Sequence, residues 1–486
     1  MHFDQQFLMT TWPAAEIRGV NFPLYPTVAV DSRQLRPGEI FVALPGAKVD
    51  GHQFLAQALA AGCAGLVIAQ SQRHLLAQLD ATQLAKVLVC VVPDTQQALQ
   101  QLAHAWREQF TGPVIGITGS VGKTSTKELL GQILQAAGIN YCASRGNLNT
   151  LIGASISLLQ LRPTHQVAVL ELGVSRCGEM AQLAALVRPT MALITTVGHA
   201  HMGALGLPSE VSAEKRQIFK FFTETNIGIV NGDDPHLAQL AYAHPVVRFG
   251  RKITNQVQAR KILIEHGQIK FTLKIYGTKV DLVLDSTNQG QITNSLAAAA
   301  AAYLLEVPIA KIASGLQQNL MLPGRMQWRT LRAEFGGGRL IDDCYNAGPE
   351  SVKAAILAFE KLPVSGAKVL VLGDMFELGR ESQFWHRQIG RFLHKIPSLQ
   401  RLILVGEQVK FVKQTAPVTL VSDLVPDWQA AVPLLQTYLQ AADLVLVKGS
   451  TYGYTAGLAQ LVQQLTEPLT VATQFRPAVT FKETVY

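Results

Sequence analysis

The stretch Gly116-Ile117-Thr118-Gly119-Ser120-Val121-Gly122-Lys123-Thr124-Ser125-Thr126 holds the residue types that grip phosphate. It follows the apolar run Pro113-Val114-Ile115 and opens into Lys127-Glu128-Leu129-Leu130, a strand, a glycine-rich turn and a helix in succession. In that setting glycines let backbone N–H groups face phosphate oxygens, and the helix N-terminus adds a favourable dipole. Lys123 reaches the outer phosphates and Thr124 can ligate Mg²⁺. Ile117 stands where the longer pattern G-x-x-x-x-G-K-[ST] has its first glycine, so the loop is the shorter form T-G-x-x-G-K-T. The expectation is a nucleoside triphosphate site. The loop alone serves kinases, GTPases, motors and ligases alike, and names no reaction.

Further polar residues fall at the ends of apolar runs. Glu171 and Gly173 close Val167–Leu170, His199 and His201 follow Ala192–Thr195, and Asn231-Gly232-Asp233-Asp234-Pro235 follows Ile227–Val230. Such spacing predicts a mostly parallel sheet with ligands at the carboxyl ends of its strands. A carboxylate beside a GKT loop suits hard Mg²⁺; an imidazole is a less usual ligand for it. Ser144-Arg145-Gly146-Asn147-Leu148-Asn149-Thr150 reads either as a substrate-contacting loop or as a connecting turn. Glu214-Lys215-Arg216-Gln217, in a helix expected over 209–222, reads by itself as a solvated face.

The elements that must position these residues suggest three α/β units. In residues 1–110, short apolar runs alternate with helical patterns, and Asp31-Ser32-Arg33 and Gly46 to His52 read alone as turns and helix caps. Residues 111–322 carry the phosphate loop and a mostly parallel sheet. Alternation over 257–284 predicts a β-rich insert, and Asn294 is expected to open an alanine-rich helix over 295–305. Leu322-Pro323-Gly324-Arg325 breaks the chain, and 323–486 alternates again as a Rossmann-like unit without the G-x-G-x-x-G fingerprint of a dinucleotide cofactor.

Composition narrows the class. The 486 residues carry a formal charge of +8, yet the basic residues are dispersed and none lie in an aromatic-interleaved run, which favours small anionic substrates over nucleic acid. Five cysteines without C-x-x-C spacing predict a reducing compartment and no zinc site. The absence of a basic flank before an apolar core predicts no signal peptide, and the apolar run 296–305 is about half the ~20 residues a membrane span needs. A cytoplasmic protein is expected.

Taken together these motifs resemble the Mur ligases, ATP-dependent amide-forming enzymes that build the peptide of bacterial cell-wall precursors, over nearly the whole chain. Asp342-Asp343-Cys344-Tyr345-Asn346-Ala347-Gly348-Pro349 and Val371-Leu372-Gly373-Asp374-Met375-Phe376-Glu377-Leu378-Gly379 are most similar to the branch that adds D-alanyl-D-alanine to a UDP-N-acetylmuramoyl-tripeptide. The D-N-P-R motif of the sister branch that adds the third amino acid is not found.

The resemblance implies that Gly119, Ser120, Val121, Gly122, Lys123, Thr124 and Ser125 hold the phosphates of ATP. Thr124, Glu171, His201 and Lys215 would serve Mg²⁺, with Lys215 carrying a CO₂-derived carbamate; Lys123, Lys215, His201 and Glu171 would be catalytic. Asn294, Arg325, Asp343, Tyr345 and Asn346 would face the nucleotide. Asp31, Ser32 and Arg33 would lie near the uridine nucleotide, Asn147 and Asn149 near its sugar or peptide, and Lys448, Gly449 and Ser450 would receive the dipeptide. A monomer is expected. The departures are Val121, Arg216, Gln217, Gly290, Gln291, Gly348 and Thr451, where the family usually has other residues. Two alternatives stay open: a ligase of this type with another amine, and a non-catalytic paralogue that binds the nucleotide or UDP precursor.

Overall fold

The computed structural model describes residues 1–19, 21–46, 49–199, 202–450 and 457–468. The expected His201 and the departure at Thr451 lie outside the described residues, as does the chain beyond 468.

Three sheets organise the chain. The first has four parallel strands, Val28–Ala29, Ile40–Val42, Gly65–Ala69 and Leu88–Val92, with Glu16–Arg18 added antiparallel at one edge. The central sheet has nine strands. Six of them, Tyr141–Ala143, Val167–Glu171, Val114–Thr118, Met191–Ile194, Ile227–Asn231 and Val246–Gly250, run parallel in that spatial order. Val257–Glu265 continues parallel beside Val246–Gly250, and Gln268–Ile275 and Thr278–Leu284 then fold back as the expected β-rich insert. The third sheet orders Gln327–Thr330, Arg339–Asp343, Leu444–Lys448, Lys368–Gly373, Leu399–Val405 and Val421–Val425, all parallel except the first.

Strand Val114–Thr118 is buried at every position because helices cover both faces of the sheet. The helix after the phosphate loop, Lys123–Ala136, packs against Gly290–Leu304 and Ile309–Leu316. Small residues permit the approach: Ala297 to Ala302 are at most 1% exposed, and a Cβ on Gly315 would lie 2.5 Å from Ile133 Cα. The alanine-rich helix starts earlier than expected. Asn288 Oδ1 accepts from Gly290 N (2.9 Å) and turns the chain into the helix there, which places Asn294 inside it and not at its opening. The helix expected over 209–222 is α-helical over Pro208–Arg216 and then tightens into a 3₁₀ turn, Gln217–Phe219.

The first and central sheets share one continuous core. Trp106, on helix Thr95–Glu108, is fully buried in it. From the same helix Arg107 donates to the carbonyls of Val187 (2.8 Å), Phe110 (3.0 Å) and Arg188 (2.8 Å), so a buried cation seals the junction. The third sheet instead meets the central one through polar contacts. Thr287 Oγ1 donates to Ala358 O (2.9 Å), Gly203 N donates to Glu377 O (3.1 Å), and His199 pairs with Glu350 while lying 4.1 Å from the Trp385 ring. A polar junction of this kind separates more readily than a fused core. Among the described residues no helix is long and apolar enough to cross a membrane.

Candidate active site

The loop from Gly119 to Gly122 leaves the centre of the nine-stranded sheet and enters helix Lys123–Ala136. Its backbone requires glycine twice. Gly119 has φ +148 and a Cβ there would sit 1.9 Å from Thr195 Oγ1; Gly122 has φ +91 and a Cβ there would sit 2.3 Å from Asn294 Oδ1. Thr195 Oγ1 also donates to Val121 O (2.6 Å), and Ser120 N donates to Thr196 O (2.8 Å), so the neighbouring strand end clamps the loop. Val121 is 39% exposed, and its carbonyl is the group that the strand end holds. Ser125 is part-buried in the first helical turn.

Lys123 Nζ donates to Gly119 O (2.9 Å), folding the ammonium back over the loop. Burial lowers its pKa and the Arg325 charge adds to this, while Glu171 and Glu377 pull the other way. Beside it Thr124 Oγ1 donates to Glu171 Oε2 (2.8 Å), and Asn149 Nδ2 holds the other carboxylate oxygen (2.9 Å). Ser144, from the loop read as substrate-contacting or as a connecting turn, and Lys127, which sequence reasoning did not single out, steady the Glu171 strand end. Glu171 N donates to Ser144 Oγ (3.1 Å), and buried Lys127 donates to Ser144 O (2.6 Å). Asn147 lies in the same loop, its carbonyl accepting from Asn149 N (2.7 Å).

Hard oxygen donors from Thr124 and Glu171, adjacent at the strand end, fit Mg²⁺, which takes one or two protein oxygens and fills its octahedron with water and phosphate.

Lys215 is not on a solvated face. It is 1% exposed, and its pKa falls to about 7 because burial disfavours the charge and Lys123 repels it, with Glu214 opposing. The local charge pattern misled because the adjacent carboxylate turns inward too: Glu214 accepts from Gly178 N (2.9 Å) and Met180 N (2.8 Å).

The third sheet reaches into this centre. Arg325 Nη2 donates to Thr124 Oγ1 (3.0 Å), and the same guanidinium lies 4.0 Å from the centroid of Tyr345. Asp343 and Asn346 gather around Lys448, whose buried Nζ meets Asp343 Oδ2 at 2.8 Å and Asn346 O at 2.6 Å. That ammonium is engaged within the protein, so Lys448 orders the Asp343–Asn346 turn. Ser450 Oγ donates to Asn346 Oδ1 (3.3 Å), and Gly449 packs where a Cβ would meet Leu458 Cδ1 at 2.2 Å.

Asp31, Ser32 and Arg33 stand apart, at the end of strand Val28–Ala29 in the first sheet. Arg33 binds the Asp31 carboxylate through two nitrogens (2.9 and 2.7 Å), and Ser32 Oγ donates to Gln57 Oε1 (3.0 Å).

Comparison with known proteins agrees with this geometry. Three family models match in chain order: Mur ligase family, catalytic domain, over residues 25–107; Mur ligase middle domain over 117–302; and Mur ligase, glutamate ligase domain, over 324–451. The UDP-N-acetylmuramoyl-tripeptide–D-alanyl-D-alanine ligase of Escherichia coli is 33% identical, with 93% of this chain and 96% of that protein covered. A crystal structure of MurF from Acinetobacter baumannii superposes with a TM-score of 0.81 at 30% identity, covering 95% of this chain and 99% of that one. The MurF ligase of Thermotoga maritima, solved in complex with ADP, gives 0.73 at 25% identity over 90% and 96% of the two chains. With a relative this similar along almost its full length, and all three domain models in order, the chain belongs to the Mur ligase family.

Proposed function

We propose that this protein is an ATP-dependent ligase that joins D-alanyl-D-alanine to UDP-N-acetylmuramoyl-tripeptide in the cytoplasm, acting as a monomer in peptidoglycan precursor synthesis. The observation that carries the reading is the Thr124–Glu171 pair beside the Lys123 loop, reached from the third sheet by Arg325. Residues 1–110 take the UDP precursor through Asp31, Ser32 and Arg33. Residues 111–322 take ATP, and 323–486 bring the amine.

Amide formation from a carboxylate needs an activated acyl group. The tripeptide carboxylate attacks the γ-phosphorus of ATP and ADP leaves, giving an acyl phosphate. The amine then attacks the carbonyl carbon, the tetrahedral intermediate expels phosphate, and the nitrogen loses its extra protons to solvent. Lys123 and the loop N–H groups neutralise charge as two anions approach; Thr124 and Glu171 would hold Mg²⁺, whose charge would supply screening of the phosphates. Asn147 and Asn149 orient the sugar and peptide, and Asn294, Arg325, Tyr345, Asp343 and Asn346 border the nucleotide. Lys215, with a pKa near 7, offers the neutral amine that CO₂ requires to form a carbamate, and such an anion would serve Mg²⁺ as the family resemblance implies for Lys215 and His201.

Incubating the protein with ATP, Mg²⁺, UDP-N-acetylmuramoyl-tripeptide and D-alanyl-D-alanine tests this. A UDP-linked pentapeptide by mass and one phosphate per product are expected; ATP binding without product from any amine would refute a ligase.

A further inference from the structure

His199 follows strand Met191–Ile194 and takes part in none of these roles. Its segment is held from several sides. From the phosphate loop, Ser120 N donates to Thr196 O (2.8 Å) and Ser120 Oγ accepts from Gly198 N (2.9 Å). From the next strand end, Asp234 Oδ2 accepts from Val197 N (2.7 Å). From the unit of the third sheet, Glu350 Oε1 accepts from His199 N (3.2 Å) and pairs with His199 Nδ1.

Glu350 stands in the first turn of helix Pro349–Glu360, where the helix dipole favours a carboxylate. One turn on, Lys353 Nζ lies 5.5 Å from the centroid of Trp385, whose ring packs against His199, so the imidazole sits between a carboxylate and an indole. A Cβ on Gly198 would lie 3.1 Å from Glu350 Cδ, so bare backbone at that position is what lets the carboxylate approach. The contacts of Thr287 with Ala358 O and of Gly203 with Glu377 O join neutral groups. Glu350 brings a charge to the same junction, and hydrogen bonds to charged groups are the stronger kind.

The helix that carries Glu350 leaves the Asp343–Asn346 turn, and Arg325 rides on that same turn. Tyr345 N donates to Gly324 O (3.0 Å), Met326 N donates to Asp343 Oδ1 (3.1 Å), and the Arg325 guanidinium stacks on Tyr345. Whatever fixes Glu350 against the central unit therefore fixes where Arg325 meets Thr124.

We propose that Glu350 is a positioning residue for the nucleotide: its hold on His199 docks the third unit on the strand end that clamps the phosphate loop, and so keeps Arg325 on Thr124. The step rests on the ATP site proposed above.

The test is calorimetric titration of ADP with Mg²⁺ into the full-length wild type, Glu350→Ala, Glu350→Gln, Arg325→Ala and the double variant Arg325→Ala/Glu350→Ala, with a melting curve of each. Glu350→Ala should weaken ADP binding about tenfold or more, as expected for losing a hydrogen bond to a charged group, at the Tm of wild type. Glu350→Gln, whose amide oxygen still accepts from His199, should keep most of the affinity. In the Arg325→Ala background Glu350→Ala should add nothing, because the contact it serves is already gone. Unchanged affinity in Glu350→Ala, a loss that adds in full to that of Arg325→Ala, or a loss matched by a lower Tm overturns the assignment. These titrations need neither amine nor tripeptide. A wild type that binds ADP and ligates nothing overturns the ligase reading, while the same affinity ratios still decide the role of Glu350; a wild type that binds no ADP overturns both.

Discussion

Arg325 Nη2 donates to Thr124 Oγ1 across 201 residues of sequence and from one sheet to another. The same hydroxyl donates to Glu171, so a single oxygen links the phosphate loop, the carboxylate and the third unit. The third unit thereby bears directly on the phosphate site. Arg325→Ala should raise KM for ATP about 10- to 100-fold, the range for losing a hydrogen bond from a charged group, and leave thermal stability nearly unchanged. Paired ATP titrations and melting curves check both; a lower Tm with normal KM would make Arg325 structural.

Lys215 ties stability to pH. Its folded pKa of about 7 lies below the ordinary 10.5, so the unfolded chain holds the proton more tightly. The resulting destabilisation is fully present below pH 7 and fades as pH rises toward 10.5, by about 1.4 kcal/mol per pH unit. Lys215→Met should therefore be more stable than wild type near pH 7 in EDTA without nucleotide, and its advantage should shrink by pH 10. Ligation should be lost, and Lys215→Ala should regain part of it with added short carboxylates. Denaturant melts at several pH values, alongside activity, decide this; full activity in Lys215→Ala would remove the residue from the chemistry.

The division between what sequence could and could not tell follows sequence distance. The Lys123–Thr124 loop and Glu171 were legible because a phosphate loop is local and strand ends follow from apolar spacing. The local charge pattern around Lys215 read as a solvated face and only the resemblance marked the residue, since the helix that carries it turns Glu214 inward to Gly178 and Met180, more than thirty residues away. Asn294 was misplaced because its helix begins already at Gly290, after a turn that Asn288 closes. The engagement of Lys448 by Asp343 spans 105 residues.

Gly119→Ala should abolish nucleotide binding. The added methyl meets Thr195 Oγ1 at a separation no real Cβ contact shows, so Thr195 must leave Val121 O and the loop must open. The φ of +148 adds strain of about 1–3 kcal/mol. Calorimetric titration with ADP should show no heat of binding, while the far-ultraviolet circular dichroism stays that of wild type.

Lys448→Met separates a structural ammonium from a substrate-receiving one. Nζ is buried between Asp343 Oδ2 and Asn346 O, and removing it leaves the Asp343 carboxylate with its desolvation uncompensated. Breaking a buried pair from one side costs about 3–5 kcal/mol. Lys448→Met should therefore lower Tm markedly, and Asp343→Asn in the same chain should recover part of the loss by removing the stranded charge. A lysine whose task was to meet the dipeptide would behave otherwise: its loss would raise KM for D-alanyl-D-alanine at unchanged Tm, and Asp343→Asn would recover nothing. Measuring Tm and that KM in the two single variants and the double variant distinguishes the cases, because only an internal pair couples the two positions in stability.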